Sequence, residues 1–140
     1  MDYETADAPS FGTSLTGMGL NILVRDVRQH VEFLTCVFDM NAHQVSDNFA
    51  IITYHEQVFQ LHSDGTYASH PLLALLPENP PRGAGIEIRL YQSDPDLCHS
   101  AALKWGADVL HPPLDKPPHG LRECSILSPD GYIFVPSRHL

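Results

Sequence analysis

The sequence predicts an α+β chain built from two successive βαβββ modules. Three observations carry this. Apolar and polar residues alternate over 19–25 and again over 85–90, the pattern of a strand with one apolar face. Each run leads into a helix-capping residue and then into apolar positions three and four residues apart. Each helix is followed by three short β-rich runs. Shifting the first half by 66 residues lays Gly19 on Gly85, Ile22 on Ile88 and Val24 on Leu90, so the two halves share a pattern while few identities coincide.

In the first half, Leu20, Ile22 and Val24 alternate with Gly19, Asn21 and Arg25. Asp26 stands at the N-cap position, and Val27, Val31, Leu34, Val37 and Phe38 form the apolar stripe of a helix of about three turns. The runs 42–45, 49–54 and 58–62 are the following strands, broken by Ser46-Asp47-Asn48 and His55-Glu56-Gln57. In the second half, Ser93, Asp94 and Pro95 open a helix with Leu97, Ala101, Ala102 and Trp105 among its apolar positions. Gly106 closes it as a C′ glycine. The runs 108–110, 123–127 and 132–136 complete the second module.

Prolines mark the connections. The chain has 12, against about 7 expected at average usage. Pro71, Pro77, Pro80 and Pro81 fall in one cluster, and Pro112, Pro113, Pro117 and Pro118 in another. Lacking an N–H and fixed in φ, they interrupt helices and ladders. The sequence therefore divides into a loose N-terminal arm (1–17) and a domain (18–138). The domain comprises module one (18–64), a linker (65–84) and module two (85–138). The second proline cluster reads as a loop over 111–120, flanked by His111 and His119, that either covers a cleft or lies on the surface.

Composition narrows the function. The 140 residues are 43% hydrophobic and 18% charged, enough to fill a core. The net charge is −9, and Lys104 and Lys116 are the only lysines. That balance argues against nucleic acid and against an anionic membrane surface, and modestly favours a cationic ligand. No apolar run approaches the roughly 20 residues of a membrane span. The acidic start (Asp2, Glu4, Asp7) is not a secretory signal. Cys36, Cys98 and Cys124 are odd in number and widely spaced, so they read as reduced core thiols of a cytoplasmic protein. Of nine histidines, His30, His99 and His139 read as solvated, and His43, His55 and His70 lie at turns or strand edges. No glycine-rich phosphate loop is present, and neither Ser125 nor Cys124 has a neighbouring base in the sequence.

The ordered set of 20–27 (LNILVRDV) with Phe33, Gly106-Ala107-Asp108, 120–123 (GLRE) and 128–132 (SPDGY) resembles the vicinal oxygen chelate superfamily. That group comprises glyoxalase I, bleomycin-resistance proteins and extradiol dioxygenases. Ser128 stands where the family's DPDG turn begins with Asp. The resemblance spans about 18–138. It implies that each module folds into a curved mixed sheet with its helix outside, and that two modules, helped by homodimerisation, enclose a cleft.

Catalytic members of that superfamily hold a divalent metal on four side chains. Carried over one by one, those positions fall on Gly19, Gln60, Gly85 and Val135. Glycine and valine offer no donor atom, and an amide oxygen is a weak ligand. The expectation is therefore a protein without a metal or other cofactor that binds and sequesters a small molecule.

Strand parity places Asn21, Gln60, His62, Glu87 and Arg89 on the cleft faces, with Tyr54, Tyr67 or Trp105 as packing surfaces. Polar decoration of a solvated sheet is the alternative for this set, with Glu87 paired to Arg89 or Arg25. A second function stays open, in which a relocated metal on His62, Gln60, Glu87 and Glu123 serves a lyase, isomerase or dioxygenase. A degenerate interaction subunit is a third.

Overall fold

A computed structural model describes residues 1–77 and 81–140. Residues 78–80 of the expected 65–84 linker, Pro80 among them, lie outside the described residues. The chain separates into two units, one of 1–35 with 39–75 and one of 36–38 with 76–140.

The first unit contains α1 (Ala8–Ser14), β1 (Asn21–Val24), α2 (Val27–Phe38, whose last three residues group with the second unit), β2 (Asn41–His43), β3 (Phe49–Tyr54) and β4 (Gln57–Ser63). Single 3-10 turns follow at Asp64–Tyr67 and Pro71–Leu75. The sheet order is β1-β4-β3-β2, with β1 and β4 parallel and the other pairs antiparallel. The second unit repeats the plan with β5 (Glu87–Leu90), α3 (Pro95–Trp105), β6 (Asp108–Lys116), β7 (Leu121–Leu127) and β8 (Ile133–His139) in the order β5-β8-β7-β6. In both sheets the first strand of the module pairs in parallel with the last. The repeat of sequence pattern is thus a repeat of topology: two four-stranded mixed sheets in an α+β chain.

Local chemistry sets the helix ends. Asp26 caps α2 by accepting from the Gln29 amide at 3.0 Å. Asp94 caps α3 by accepting from Asp96 and Leu97, and Pro95 fills the first turn, where its missing N–H costs nothing. Gly106 ends α3 in the left-handed region at φ 89°. His30 is buried on α2, its Nδ1 3.1 Å from the Asp26 carbonyl. The expectation of a solvated His30 fails because positions 27, 30, 34 and 37 form one continuous helical stripe. Val31, assigned to that stripe from the sequence, is only half-buried.

Three further expectations are corrected. Residues 1–17 are not a bare arm. They contain α1, capped by Asp7, which accepts from the Ser10 amide at 2.8 Å, and Phe11 is buried. A seven-residue helix shows too few turns for its period to register in the sequence. Residues 111–120 are not a loop either. Pro112 and Pro113 lie within β6, and a 3-10 turn covers Pro117–His119. β6 is the sheet edge, where a proline without an N–H costs no ladder bond, and the register slips between Val109 and His111 and between His111 and Leu114 absorb the misfit. Of the thiols, Cys98 and Cys124 are buried as expected, but Cys36 is exposed.

The SPDG turn is built by its own hydrogen bonds. Gly131 donates to the Ser128 carbonyl at 2.8 Å, and the Tyr132 amide donates to Ser128 Oγ at 3.0 Å. The serine hydroxyl therefore does the work an Asx carboxylate does in such turns. Gly131 has φ 83°, and a Cβ there would lie 2.4 Å from Pro81 Cα.

Candidate functional site

Register decides which side chains meet. In the first unit Asn21 stands opposite Gln60, Leu23 opposite His62, and His62 opposite Phe49. Alternation puts all of these on one sheet face. The parity argument for Asn21, Gln60 and His62 thus matches the pairing. The side chains are connected as well. His62 Nε2 lies 2.9 Å from Gln60 Oε1, and Asn21 Nδ2 donates to the Tyr67 hydroxyl at 3.3 Å. The His62 ring is packed edge to face between Phe49 (5.2 Å) and Tyr67 (5.7 Å), and Tyr67 continues to His70 at 5.2 Å. Burial pushes the His62 imidazole below its ordinary pKa, which favours the neutral ring.

The N-terminal segment packs on the same face. Tyr3 lies 5.6 Å from His43 and 6.1 Å from Phe11, and Phe11 lies 6.4 Å from Phe49. Gln44 fastens the segment. Its backbone amide donates to Glu4 Oε2 at 3.0 Å, and its side-chain amide donates to the Tyr3 and Ala6 carbonyls at 2.7 Å each.

Beside these groups is a cavity of about 450 Å³ between the 15–20 connector and residues 58–60 of β4, with Asn21 and Gln60 in its wall. Among the described residues no charged side chain lines it. The acidic surplus therefore lies elsewhere, and the cationic-ligand expectation drawn from net charge finds no acidic group here. The connector (Leu15, Thr16, Met18) and Val58 were missed from the sequence. The available signal was a glycine-flanked methionine just before an alternating strand. Tyr67 joins the array as one of the expected aromatics. Tyr54 instead packs on His55 at 4.5 Å, and Trp105 lies on α3 in the second unit.

In the second unit Glu87 and Arg89 lie on β5, and Val135 on β8 is the register partner of Arg89. Arg89 Nη1 donates to Glu87 Oε1 at 3.2 Å, and its Nη2 is paired with Glu123. Burial opposes the charged guanidinium, but Glu123 first and Glu87 second hold its pKa above the usual value. Glu87 and Arg89 are thus committed to each other, as the polar-decoration alternative has it. Glu123 joins them across the sheet.

The donor set does not fit the superfamily's metal. Gly19 and Gly85 have no side chain, Val135 is fully buried hydrocarbon, and the oxygen of Gln60 already accepts from His62. Among the described residues no three His, Cys, Asp or Glu side chains converge on a point. The two buried thiols offer no nucleophile: burial raises the pKa of Cys98 and pushes Cys124 up to about 12. No helix among the described residues is long and apolar enough to cross a membrane.

No protein-family model and no curated protein matches the chain. Solved structures do. A glyoxalase/bleomycin resistance protein/dioxygenase from Nocardioides aligns at TM-score 0.66 and 20% identity over 93% of this chain and 90% of that one. A glyoxalase/bleomycin resistance protein/dioxygenase family enzyme from Burkholderia phytofirmans aligns at 0.70 and 17% over 87% and 97%. The fosfomycin resistance protein FosX from Mesorhizobium loti aligns at 0.64 and 16% over 90% and 94%. Likeness at such identities is one of fold, and the fold of this chain is that of the glyoxalase/bleomycin-resistance/dioxygenase proteins.

Proposed function

We propose that this chain binds, and by binding sequesters, a small uncharged molecule through neutral hydrogen-bonding groups, with no metal at the site. The observation that carries the reading is the cavity of about 450 Å³ whose uncharged polar lining includes two carboxamides, Asn21 and Gln60, and the Thr16 hydroxyl. Its volume falls in the range of small-molecule pockets, and its lining sets polar groups among the apolar side chains of Leu15, Met18, Leu20 and Val58. The poor donor set at Gly19, Gly85 and Val135 supports binding without metal. Two similar structures come from proteins whose names include bleomycin resistance and fosfomycin resistance. Homodimerisation and a cytoplasmic setting belong to the same reading, and sedimentation of the purified chain tests the first.

Gly19 provides the test. It lines the cavity, and a Cβ added there meets nothing within 4 Å. Gly19→Phe should fill the space without straining the fold. Calorimetric titration of chelator-treated protein with a set of neutral heteroaromatic amides should give saturable binding to the parent protein and none to Gly19→Phe, with the charged antibiotics bleomycin and fosfomycin binding more weakly. Binding that requires added Zn, Ni, Mn or Fe(II), equal binding by Gly19→Phe, or no binding across the set would overturn the reading.

A further inference from the structure

The two carboxamides in the cavity wall are committed in opposite senses. A carboxamide oxygen can only accept, so the 2.9 Å contact to Gln60 Oε1 requires His62 to carry its proton on Nε2. With its oxygen so engaged, Gln60 has its NH2 group left to offer. Asn21 differs: one N–H of its Nδ2 donates to the Tyr67 hydroxyl, so its oxygen is left to accept beside a second N–H. Asn21 and Gln60 are register partners on adjacent strands, which sets a donor and an acceptor side by side on one cavity wall.

We infer that this wall recognises a primary carboxamide or a lactam, whose own C=O and N–H lie side by side in the complementary order. The inference rests on the binding reading above and gives it a ligand class. The ligand carbonyl accepts from Gln60 Nε2, and the ligand N–H donates to Asn21 Oδ1. A carboxylate lacks the N–H and would bring uncompensated charge to a wall without cations. A ketone or ester keeps the carbonyl but leaves Asn21 Oδ1 without its donor. His62 is a positioning residue: it touches no ligand but fixes which end of Gln60 is presented. Its edge-to-face packing between Phe49 and Tyr67 holds the ring for that purpose.

Nicotinamide, 3-acetylpyridine and nicotinate are suitable probes, because they differ only in the group read by the wall. Side-chain amide resonances of Asn21 and Gln60 report occupancy by NMR. Nicotinamide should move both and bind about tenfold more tightly than 3-acetylpyridine, the worth of one hydrogen bond, and nicotinate should bind least. Asn21→Leu, at an exposed position that tolerates change, should reduce the preference to near unity. His62→Ala should do the same by releasing Gln60 to turn over, and His62→Gln, which can still donate to Gln60, should restore part of it. If nicotinamide and 3-acetylpyridine bind equally with both resonances moving, the carboxamide inference falls and the binding reading stands. The inference also falls if bleomycin or fosfomycin fills the cavity while nicotinamide moves neither resonance. If no probe or antibiotic perturbs the cavity, both fall together.

Discussion

His62 donates through Nε2 to Gln60 Oε1 across 2.9 Å, so a single proton on one imidazole sets the orientation of the neighbouring carboxamide. That bond exists only while the ring stays neutral with its proton on Nε2, or while it is charged at the cost of burying the charge. Burial lowers the His62 pKa in the folded chain below the ordinary imidazole value of 6.5, so between the folded and unfolded values the unfolded chain holds more protons. The stability tied to this residue is therefore complete above about pH 6.5 and is lost as pH falls toward the folded pKa. Thermal melts of the parent and His62→Gln should diverge below pH 6.5, the parent losing more. A His62 pKa by NMR at or above that of a solvated imidazole would contradict the desolvated packing described for it.

Arg89 should prove unequal toward its two partners. The Glu123 side chain is 13% exposed and that of Glu87 is 53% exposed. Glu123→Gln weakens a charge-assisted hydrogen bond shielded from water and should cost about 1.5–3 kcal/mol. Glu87→Gln breaks a solvated pair and should cost less than about 1 kcal/mol. Urea denaturation of both variants gives the ranking, and the reverse order would show that the pairing energy lies on the exposed side of β5.

Gly131→Ala should destabilise far more than Gly120→Ala. Both glycines have positive φ, 83° and 69°, but a Cβ at 131 meets Pro81 Cα at 2.4 Å, whereas one at 120 meets nothing within 4 Å. The second variant bears the left-handed penalty alone, about 1 kcal/mol. The first adds a backbone clash, for about 2–4 kcal/mol in all. Calorimetric melts separate the two. Equal shifts would mean that the 128–131 turn is not seated on 81–83.

Under native conditions one thiol should react. Cys36 is exposed, whereas Cys98 and Cys124 are buried, Cys124 with its pKa pushed up to about 12 and its thiol donating to the Pro95 carbonyl at 3.5 Å. Iodoacetamide followed by intact-mass analysis should give a single adduct at Cys36, and three in denaturant. A native second adduct would place the α3 face of the second sheet in contact with solvent.

Much of the architecture is legible because its signals are local. Asp26 and Asp94 as caps, Gly106 as a terminator and the alternation over 20–24 each act within a few residues, so one pass along the chain finds them. Parity carried Asn21, Gln60 and His62 onto one face for the same reason: the period of a strand is fixed at two. What stayed hidden depends on distant partners. The Asn21–Tyr67 bond spans 46 residues, and nothing near Asn21 announces it. Pro112 and Pro113 read as a loop because proline forbids a central strand. Only the place of β6 at the sheet edge makes a strand possible there. Net charge is silent in another way, because it is a property of the whole surface and says nothing about the few residues that line a cavity.

The N-terminal segment should be part of the binding site although it contributes no residue that sequence reasoning selected. The 15–20 connector forms one wall of the cavity. Upstream, that wall is held by Phe11, buried and 6.4 Å from Phe49, and by the Gln44 side chain, which donates to the Tyr3 and Ala6 carbonyls. Phe11→Ala removes a buried ring and should cost about 3 kcal/mol. Gln44→Ala leaves two carbonyls without their donor and should cost about 1–3 kcal/mol. In both variants the segment should detach before the sheet unfolds, since its packing is local to one face. Limited proteolysis should then cut within 1–17 faster than in the parent, while the circular dichroism of the sheets stays unchanged. Binding to the cavity should weaken in proportion to the detached fraction. Cleavage within 1–17 without any loss of binding would show that the connector holds its place by itself and that the packed segment serves stability alone.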